Sequence, residues 1–295
     1  ESMSAILGGT DSLSVLPFDS VFKKPNSFSY RIARNTQIIL KEEAFFDKVI
    51  DPSGGSYYIE SLTYSFIQEA WKMFLKIDES GGFLESLKNG FIQSQIREMA
   101  QKRMNYIASR RETLLGTNQY PNFNEVILKN IDWDVYSSDK VTSQTTIEPL
   151  KKIRLGKEIE DLRLRTEKSG KRPKVFMLTI GNLAMRLARS QFSCNFFAVA
   201  GFEVIDNNGF ESIEEGIDTA LKSKSDIIVL CSSDDEYAEY APRAFKYLNN
   251  KAIFVVAGMP ACIEQLKAEG INNYISIKSN LLETLKYYQS LLKIE

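Results

Sequence analysis

The sequence predicts an α/β protein whose carboxyl-terminal part, residues 173–295, forms a five-stranded, doubly wound parallel sheet. Short, continuously apolar runs alternate five times with amphipathic stretches of helical length, which is typical of parallel strands that helices cover on both faces. The segment from Ser169 to Pro173 contains helix-breaking residues and separates this pattern from the preceding chain. Five strands in this alternation predict a flavodoxin-like fold.

The apolar runs and amphipathic stretches define the predicted elements. The predicted strands are residues 175–180, 202–206, 226–231, 252–257 and 273–277. The predicted helices are residues 184–200, 213–223, 235–249, 262–269 and 280–293.

The first 115 residues are predicted to be mainly helical. Apolar residues recur at helical spacing over residues 26–41, where Asn26 or Ser27 is a suitable cap. The same spacing predicts helices over residues 61–80 and 90–114.

The opening stretch, residues 4–13, is predicted to be a strand that runs into a loop. A lone first strand leaves backbone polar groups unpaired, and the sequence begins at Glu1 rather than at methionine. We therefore expect the sequence to be a fragment of a longer polypeptide.

Residues 116–172 are predicted to be a linker. Asparagine, proline and serine are frequent in its first half, which includes a short extended run at residues 125–128. A charged amphipathic helix is predicted over residues 148–168.

The composition argues against several classes of function. Hydrophobic residues make up 43% of the chain, and 37 basic residues nearly balance 38 acidic ones. A near-neutral charge gives no basis for binding nucleic acid or an anionic membrane. Because no apolar run approaches the ~20 residues that span a bilayer, we expect a cytoplasmic protein.

Two side-chain types restrict the chemistry further. The 295 residues contain no histidine, so an imidazole base or an imidazole metal ligand is excluded. Cys194, Cys231 and Cys262 lie far apart in apolar contexts and form no Cys-x-x-Cys pair. We expect buried, reduced thiols and no metal.

Ligands of doubly wound sheets bind at the carboxyl ends of the strands. The candidate positions there are Gly181, Asn182, Ser232 and Gly258, and no glycine-rich phosphate loop or Walker lysine accompanies them. The cluster from Ser232 to Glu236 could bind a metal, but Ser233 and Glu236 have the spacing of a helix capping box, which we favour. Gly258 could admit a ligand or simply turn the chain.

Three widely separated groups of stretches resemble the methylmalonyl-CoA mutase family. They are LGGTDSL (7–13) with RIARNTQ (31–37), IDPSGGSYYIE (50–60), and KVF (174–176) with NFF (195–197) and GFEVID (201–206). The third group is most similar to small subunits of the heterodimeric bacterial members. The resemblance implies that residues 1–115 contain the end of a TIM barrel for the coenzyme A ester, and that residues 173–295 form a cobalamin-binding-type domain.

The resemblance also shows which functional residues are missing. Catalytic members carry Asp-x-His-x-x-Gly, in which histidine binds cobalt, aspartate orients it and glycine admits the nucleotide tail. Aligned from Gly181, those positions hold Leu183, Met185 and Ala188. We therefore expect no cofactor-binding, catalytic or metal-binding residue here, and a tail pocket that side chains fill.

The other family signatures are altered as well. The segment Ser232-Ser233-Asp234 stands where Ser-x-Leu is usual, and Ala257-Gly258 stands where a double glycine is usual. In the barrel loop, Asp11 and Ser14 replace the glutamine and histidine of catalytic members.

The resemblance thus implies a non-catalytic, structural subunit of an adenosylcobalamin-dependent mutase, an isomerase. Its partner in a heterodimer would be a large catalytic subunit that binds adenosylcobalamin and interconverts methylmalonyl-CoA and succinyl-CoA. One alternative is a chain that binds cobalamin without histidine. Another is a small-molecule sensor or scaffold that uses the vacated pocket, with Asn182, Ser232 and Gly258 lining it.

Overall fold

The computed structural model describes residues 1–137 and 146–294. Residues 138–145 of the predicted linker, and Glu295 at the end of the predicted α/β domain, lie outside the described residues. The chain forms two compact units, Glu1–Glu98 with Lys129–Lys152, and Met99–Leu128 with Ile153–Glu295. The second unit therefore includes parts of the segments that the sequence analysis assigned to the helical region and to the linker.

The second unit contains a five-stranded sheet in which all neighbouring strands are parallel. The strand order is β2-β1-β3-β4-β5. The strands are β1 (Lys174–Thr179), β2 (Glu203–Ile205), β3 (Ile227–Cys231), β4 (Ile253–Ala257) and β5 (Tyr274–Ile275). This is the flavodoxin-like order, so the predicted fold class is confirmed.

Helices cover both faces of this sheet, because successive side chains of a strand point to opposite sides. Val175 and Met177 of β1 belong to one apolar cluster, whereas Phe176 and Leu178 belong to another. The first cluster includes residues of α7 (Lys157–Lys168), α8 (Leu183–Ala198) and α12 (Leu281–Leu291). The second includes residues of α9 (Ile213–Lys222), α10 (Tyr237–Leu248) and α11 (Ile263–Ala268).

Side-chain caps set the start of three of these helices. Asn182 accepts a hydrogen bond from Met185 N–H, Ser212 accepts one from Glu215 N–H, and Asn280 accepts one from Glu283 N–H. All five predicted helices of the α/β domain are present, and their bounds differ from the predicted ones by at most two residues.

The linker differs from its prediction. The helix α7 begins only at Lys157, because Pro149 and Gly156 interrupt the predicted stretch. It packs into the core of the second unit, where the buried Gln289 side chain donates to the carbonyl of Leu162 at 2.7 Å. Residues 125–128 form no strand, and Glu167 accepts hydrogen bonds from the last two of their N–H groups.

The first unit is helical, as predicted, but its opening stretch is not a strand. Residues Ser2–Leu7 form helix α1, in which Ala5 N–H donates to Glu1 C=O and which ends at Gly8. The following helices are α2 (Ser27–Glu42), α3 (Tyr57–Glu79), α4 (Gly82–Lys88) and α5 (Phe91–Ala108). Helix α5 begins in the first unit, and its residues from Met99 onward belong to the second. A short 3-10 helix, Leu128–Asn130, and α6 (Trp133–Tyr136) complete the elements described between α5 and α7.

The predicted helix over residues 26–41 is confirmed, and Asn26 caps it by accepting from Phe28 N–H and Ser29 N–H. The next helix begins at Tyr57, four residues before the prediction. The helix predicted to end at residue 114 ends at Ala108, because Arg110 adopts a left-handed conformation with φ of +58°. None of the described helices is long and apolar enough to cross a membrane.

Candidate functional site

The candidate site lies at the carboxyl edge of the sheet, where β1 separates β2 from β3. At this point the chain connections leave in opposite directions, and doubly wound folds have their ligand crevice there. Gly181 and Asn182 follow β1, Ser232 follows β3, and Gly258 follows β4. The structure therefore brings the four predicted pocket residues to one edge.

The carboxylate of Glu236 spans the crevice between the loops that follow β1 and β3. It accepts hydrogen bonds from the N–H of Asn182 at 3.1 and 3.2 Å. On the β3 side it accepts from Ser232 Oγ at 2.5 Å, from Ser233 N–H at 3.1 Å and from Ser233 Oγ at 2.7 Å. Four donors from two loops thus converge on one carboxyl group.

These donors determine the ionisation of Glu236. Burial by itself raises the pKa of the carboxyl group, but hydrogen bonds from Ser232, Ser233 and Asn182 outweigh that effect and lower the pKa from 4.5 to about 2. The group is therefore an anion at neutral pH. Because an ionised carboxylate only accepts hydrogen bonds, Glu236 has no proton to donate to a substrate.

Gly181 lies directly against this carboxylate. Its φ is +79°, and a Cβ atom built on it would lie 2.3 Å from Oε2 of Glu236. Only glycine combines that conformation with the close approach. The space beside Gly181, which was predicted to line a ligand pocket, is therefore occupied by the side chain of Glu236.

The neighbouring part of the edge, between β3 and β4, is also occupied by side chains. The buried hydroxyl of Tyr237 donates to Ala257 C=O at 2.6 Å and accepts from Ser232 N–H at 3.1 Å. A Cβ atom on Gly258 would lie 3.3 Å from Cε2 of Tyr237 and 3.2 Å from Oδ1 of Asp234.

An ion pair also occupies this part of the edge, between β3 and β4. The guanidinium of Arg189, on α8, donates to Asp234 at 2.9 Å. The Cζ atom of Arg189 would lie 3.3 Å from a Cβ atom on Gly258. Gly258 thus turns the chain beneath these packed side chains. Of the two roles predicted for it, admitting a ligand or turning the chain, this corresponds to the second.

The three degenerate motif positions lie on the first half of α8. Leu183 is 59% exposed, Met185 is 37% exposed, and Ala188 is exposed as well. The backbone N–H of Met185 donates to the Asn182 cap, so this segment begins the helix. None of the three side chains offers a group that would bind a metal ion firmly.

The capping-box prediction for Ser233 and Glu236 is half correct. Glu236 reaches back to Ser233 N–H, as in a capping box. Ser233 Oγ does not cap the helix, however, because it donates to the carboxylate of Glu236, and α10 begins only at Tyr237. The reciprocal cap is absent because both the N–H and the Oγ of Ser233 donate to the same carboxylate.

Two of the three thiols are buried as predicted. Cys194 and Cys231 are free and buried, whereas Cys262 is partly exposed. Burial raises the pKa of Cys194 to about 12 and raises the pKa of Cys231 as well. Within residues 1–137 and 146–294, no group of three or more acidic, cysteine or histidine side chains is placed to hold a metal ion.

Sequence reasoning missed Arg189 and Tyr237 among the residues that occupy the crevice, and it missed the long-range contacts of Glu236 and Asp234. The contact between Glu236 and Asn182 joins positions 54 apart, and the Arg189–Asp234 pair joins positions 45 apart. Tyr237 was assigned only to a helix. The sole signal available was the acidic residue three positions after Ser233.

Comparison with known proteins agrees with this architecture. The family model for methylmalonyl-CoA mutase matches residues 1–179. The methylmalonyl-CoA mutase small subunit of Porphyromonas gingivalis is 58% identical over 98% of this chain and 46% of its own length. The small subunit of Streptomyces virginiae is 32% identical over 84% of this chain and 39% of its own.

A protein named methylmalonyl-CoA mutase from Rhizobium meliloti is 42% identical over 42% of this chain and 18% of its own length. The chain spans less than half of the length of each of these relatives. The family match extends through the helical unit and into β1, and the small-subunit match extends over nearly the whole chain. The chain therefore belongs to the methylmalonyl-CoA mutase family.

Proposed function

We propose that this chain is part of a non-catalytic, structural subunit of an adenosylcobalamin-dependent methylmalonyl-CoA mutase. In this proposal the α/β domain keeps the fold of a cobalamin-binding domain without binding the cofactor. A large partner subunit binds cofactor and substrate and interconverts methylmalonyl-CoA and succinyl-CoA. The chain contributes a folded surface to that heterodimer.

The observation that carries the proposal is the closed crevice at the switch point. A ligand entering between β1 and β3 would have to displace the carboxylate of Glu236 from Asn182, Ser232 and Ser233. It would leave those donors unsatisfied unless it replaced every hydrogen bond.

The residues at this edge do not fit cobalamin. The sequence has no histidine to act as the lower ligand of cobalt. Leu183 and Met185 provide neither a strong ligand nor an acceptor to orient one. The approach beside Gly181 is filled by Glu236, since even one added carbon atom there would lie 2.3 Å from a carboxylate oxygen.

The names of the relatives support the choice of partner. The proteins from Porphyromonas gingivalis and Streptomyces virginiae are both named as small subunits. A small subunit implies a larger one, and the histidine-free chain would leave cofactor and chemistry to that partner.

The proposal is tested by titrating adenosylcobalamin into the purified chain, with calorimetry and visible absorbance as the two readouts. We expect neither heat of binding nor a spectral change with the chain alone, and binding when a large mutase subunit is present. The matched control is the same titration of the large subunit alone, which measures the cofactor that the partner binds by itself.

Tight binding of adenosylcobalamin by the isolated chain would overturn the proposal and favour the histidine-independent alternative. In that case, substitution of Glu236 by alanine should strengthen binding if the carboxylate restricts the crevice. A different small molecule that binds the chain and is displaced by changes at Asn182 or Ser232 would instead favour the sensor or scaffold alternative.

A further inference from the structure

A second concave site lies in the α/β unit, and of its described lining residues only Ala188 belongs to the motif positions discussed above. It is a half-open cleft of about 250 Å³ between α8 and the segment that follows α5. Helix α8 contributes Ala188, Gln191, Phe192 and Asn195, and the segment contributes Arg110 and two further polar side chains. One cation, several amides and an aromatic wall therefore surround a small volume.

Among the residues that the structure describes, Arg110 is the only charged side chain that lines this cleft. Its guanidinium carbon lies 4.7 Å from the ring centroid of Phe192 and 5.1 Å from that of Phe196. The two rings exclude water from part of the guanidinium and attract its charge through their electron-rich faces. Neither ring can replace the oxygen acceptors that five N–H donors prefer.

No carboxylate compensates this charge within the described parts of the chain. No described residue accepts a hydrogen bond from the Arg110 side chain or forms an ion pair with it. Burial lowers the pKa of Arg110, and no acidic group opposes the effect. An arginine nevertheless keeps its proton, so the cleft holds an uncompensated positive charge.

Two other arginines of this unit, the buried Arg163 and the partly buried Arg189, differ from Arg110. Arg163 lies 3.6 Å from the carboxylate of Glu167, and Arg189 donates to Asp234 at 2.9 Å. A desolvated guanidinium is stabilised by such an acceptor, which Arg110 lacks. Arg110 therefore lacks the carboxylate partner that these two arginines have.

We propose that the cleft binds a small organic oxyanion, a carboxylate or a phosphate ester, whose oxygen atoms accept hydrogen bonds from Arg110. The planar guanidinium presents paired N–H groups that match either anion. The amide of Gln191 and the free Oδ1 of Asn195, whose Nδ2 donates to Gln191 C=O, are available to polar groups on the ligand. Phe192 provides an apolar wall.

The volume limits the size of the ligand. Clefts for drug-sized molecules have volumes of about 300–1,000 Å³, and this one is near 250 Å³. A small metabolite or the anionic end of a larger one fits. With one guanidinium contact on a partly open surface, we expect a dissociation constant on the order of 1 mM.

The test is a set of calorimetric titrations of the 295-residue chain at constant ionic strength. The four ligands are acetate, benzoate, inorganic phosphate and phenyl phosphate. Comparing acetate and benzoate with the two phosphates shows whether the cleft prefers a carboxylate or a phosphate group. Comparing benzoate with acetate, and phenyl phosphate with inorganic phosphate, shows the effect of an aromatic ring. We expect saturable binding of at least one of the four, strengthened by the aromatic body if Phe192 contacts the ligand.

Two variants probe opposite sides of the cleft. Arg110→Gln removes the charge and should weaken binding at least tenfold. Gln191→Glu places a carboxylate on the exposed face of α8 and should weaken binding by repulsion, without a change to the core. Arg111→Gln is the matched control, because Arg111 is exposed and contacts Tyr106 rather than the cleft.

Circular dichroism and the melting temperature establish that each variant is folded. The absence of saturable binding by the folded wild-type chain up to about 10 mM would overturn the proposal. Wild-type affinity in a folded Arg110→Gln would also overturn it. If Arg110→Gln does not fold, wild-type affinity in Gln191→Glu would overturn it instead. A loss of affinity in Arg111→Gln as large as in Arg110→Gln would show general attraction of anions and would also overturn it.

Discussion

The substitution Glu236→Gln removes the charge that holds the two crevice loops together and keeps the size of the side chain. Glutamine retains one carbonyl acceptor but presents an NH₂ group to donors that the carboxylate satisfies in the native chain. We expect the hydrogen bonds from Asn182, Ser232 and Ser233 to be only partly kept. The free energy of unfolding should fall.

The pKa of Glu236 gives the size of this effect. A pKa lowered from 4.5 to about 2 corresponds to about 3 kcal/mol, since one pH unit is worth about 1.4 kcal/mol. The carboxylate is partly exposed, so solvent screening reduces the expected loss at pH 7 to about 2 kcal/mol. Because the pKa is lower in the folded state, this stabilisation is complete above about pH 5 and is lost as the pH falls toward 2.

The assay is urea unfolding followed by circular dichroism at several pH values between 7 and 3. The difference between the wild-type chain and Glu236→Gln should be greatest at pH 7 and should shrink as the pH falls. Asp235→Asn, a change at the exposed neighbouring position, is the control and should cost less than about 0.5 kcal/mol. A difference that is independent of pH, or an equal loss in Asp235→Asn, would refute the assigned role of Glu236.

Three further predictions test the same unit. Gly181→Ala should lower the free energy of unfolding by about 1–3 kcal/mol in urea titrations, because φ is +79° and the new Cβ atom meets a carboxylate oxygen; a neutral effect would contradict the close approach. Phe197→Ala should cost about 3–5 kcal/mol in the same assay, because the ring is fully buried against other aromatic rings, and a loss below 1 kcal/mol would contradict that packing. An aromatic disulfide reagent at pH 8 should label the partly exposed Cys262 in the folded chain, whereas Cys194, with its pKa raised to about 12 by burial, and Cys231 should react only after unfolding; early labelling of Cys194 would contradict its burial.

The sheet could be predicted because its strands are continuously apolar. Every residue of β3, Ile227–Cys231, is buried, and the sequence there is an uninterrupted apolar run. Buried parallel strands need no alternation, so such runs separated by helical stretches specify both the strands and their parallel arrangement. The order 2-1-3-4-5 followed from the fold class that this alternation indicates.

The errors in the first unit and in the linker arise where local residue patterns do not determine the secondary structure. Helix α1 has only six residues, too few for an apolar period to be recognised. Tyr57, Tyr58 and Ile59 have a preference for strands, and the helix α3 begins there nevertheless, after the turn that precedes Ser56. In the linker, the charged amphipathic pattern predicts a helix on both sides of Gly156, but the helix α7 forms only after it.

The occupied crevice could be predicted only in part. The replacement of the family's metal-binding motif at Leu183, Met185 and Ala188 is a prediction from the resemblance, and it depends on residue type alone. The identity of the filling side chain is not visible, because Glu236 reaches Asn182 only after β1 and β3 have paired. The unpaired charge of Arg110 likewise emerges only when α8 brings Phe192 and Phe196 against it.

The central claim is that this chain belongs to a subunit that keeps the cobalamin-domain fold but leaves the cofactor to its partner. The most direct measurement is the number of adenosylcobalamin molecules bound by the assembled heterodimer of the complete small and large subunits, from visible absorbance after gel filtration. We expect one cofactor per heterodimer, and also one when Glu236 of the small subunit is replaced by glutamine. Two cofactors per heterodimer would contradict it.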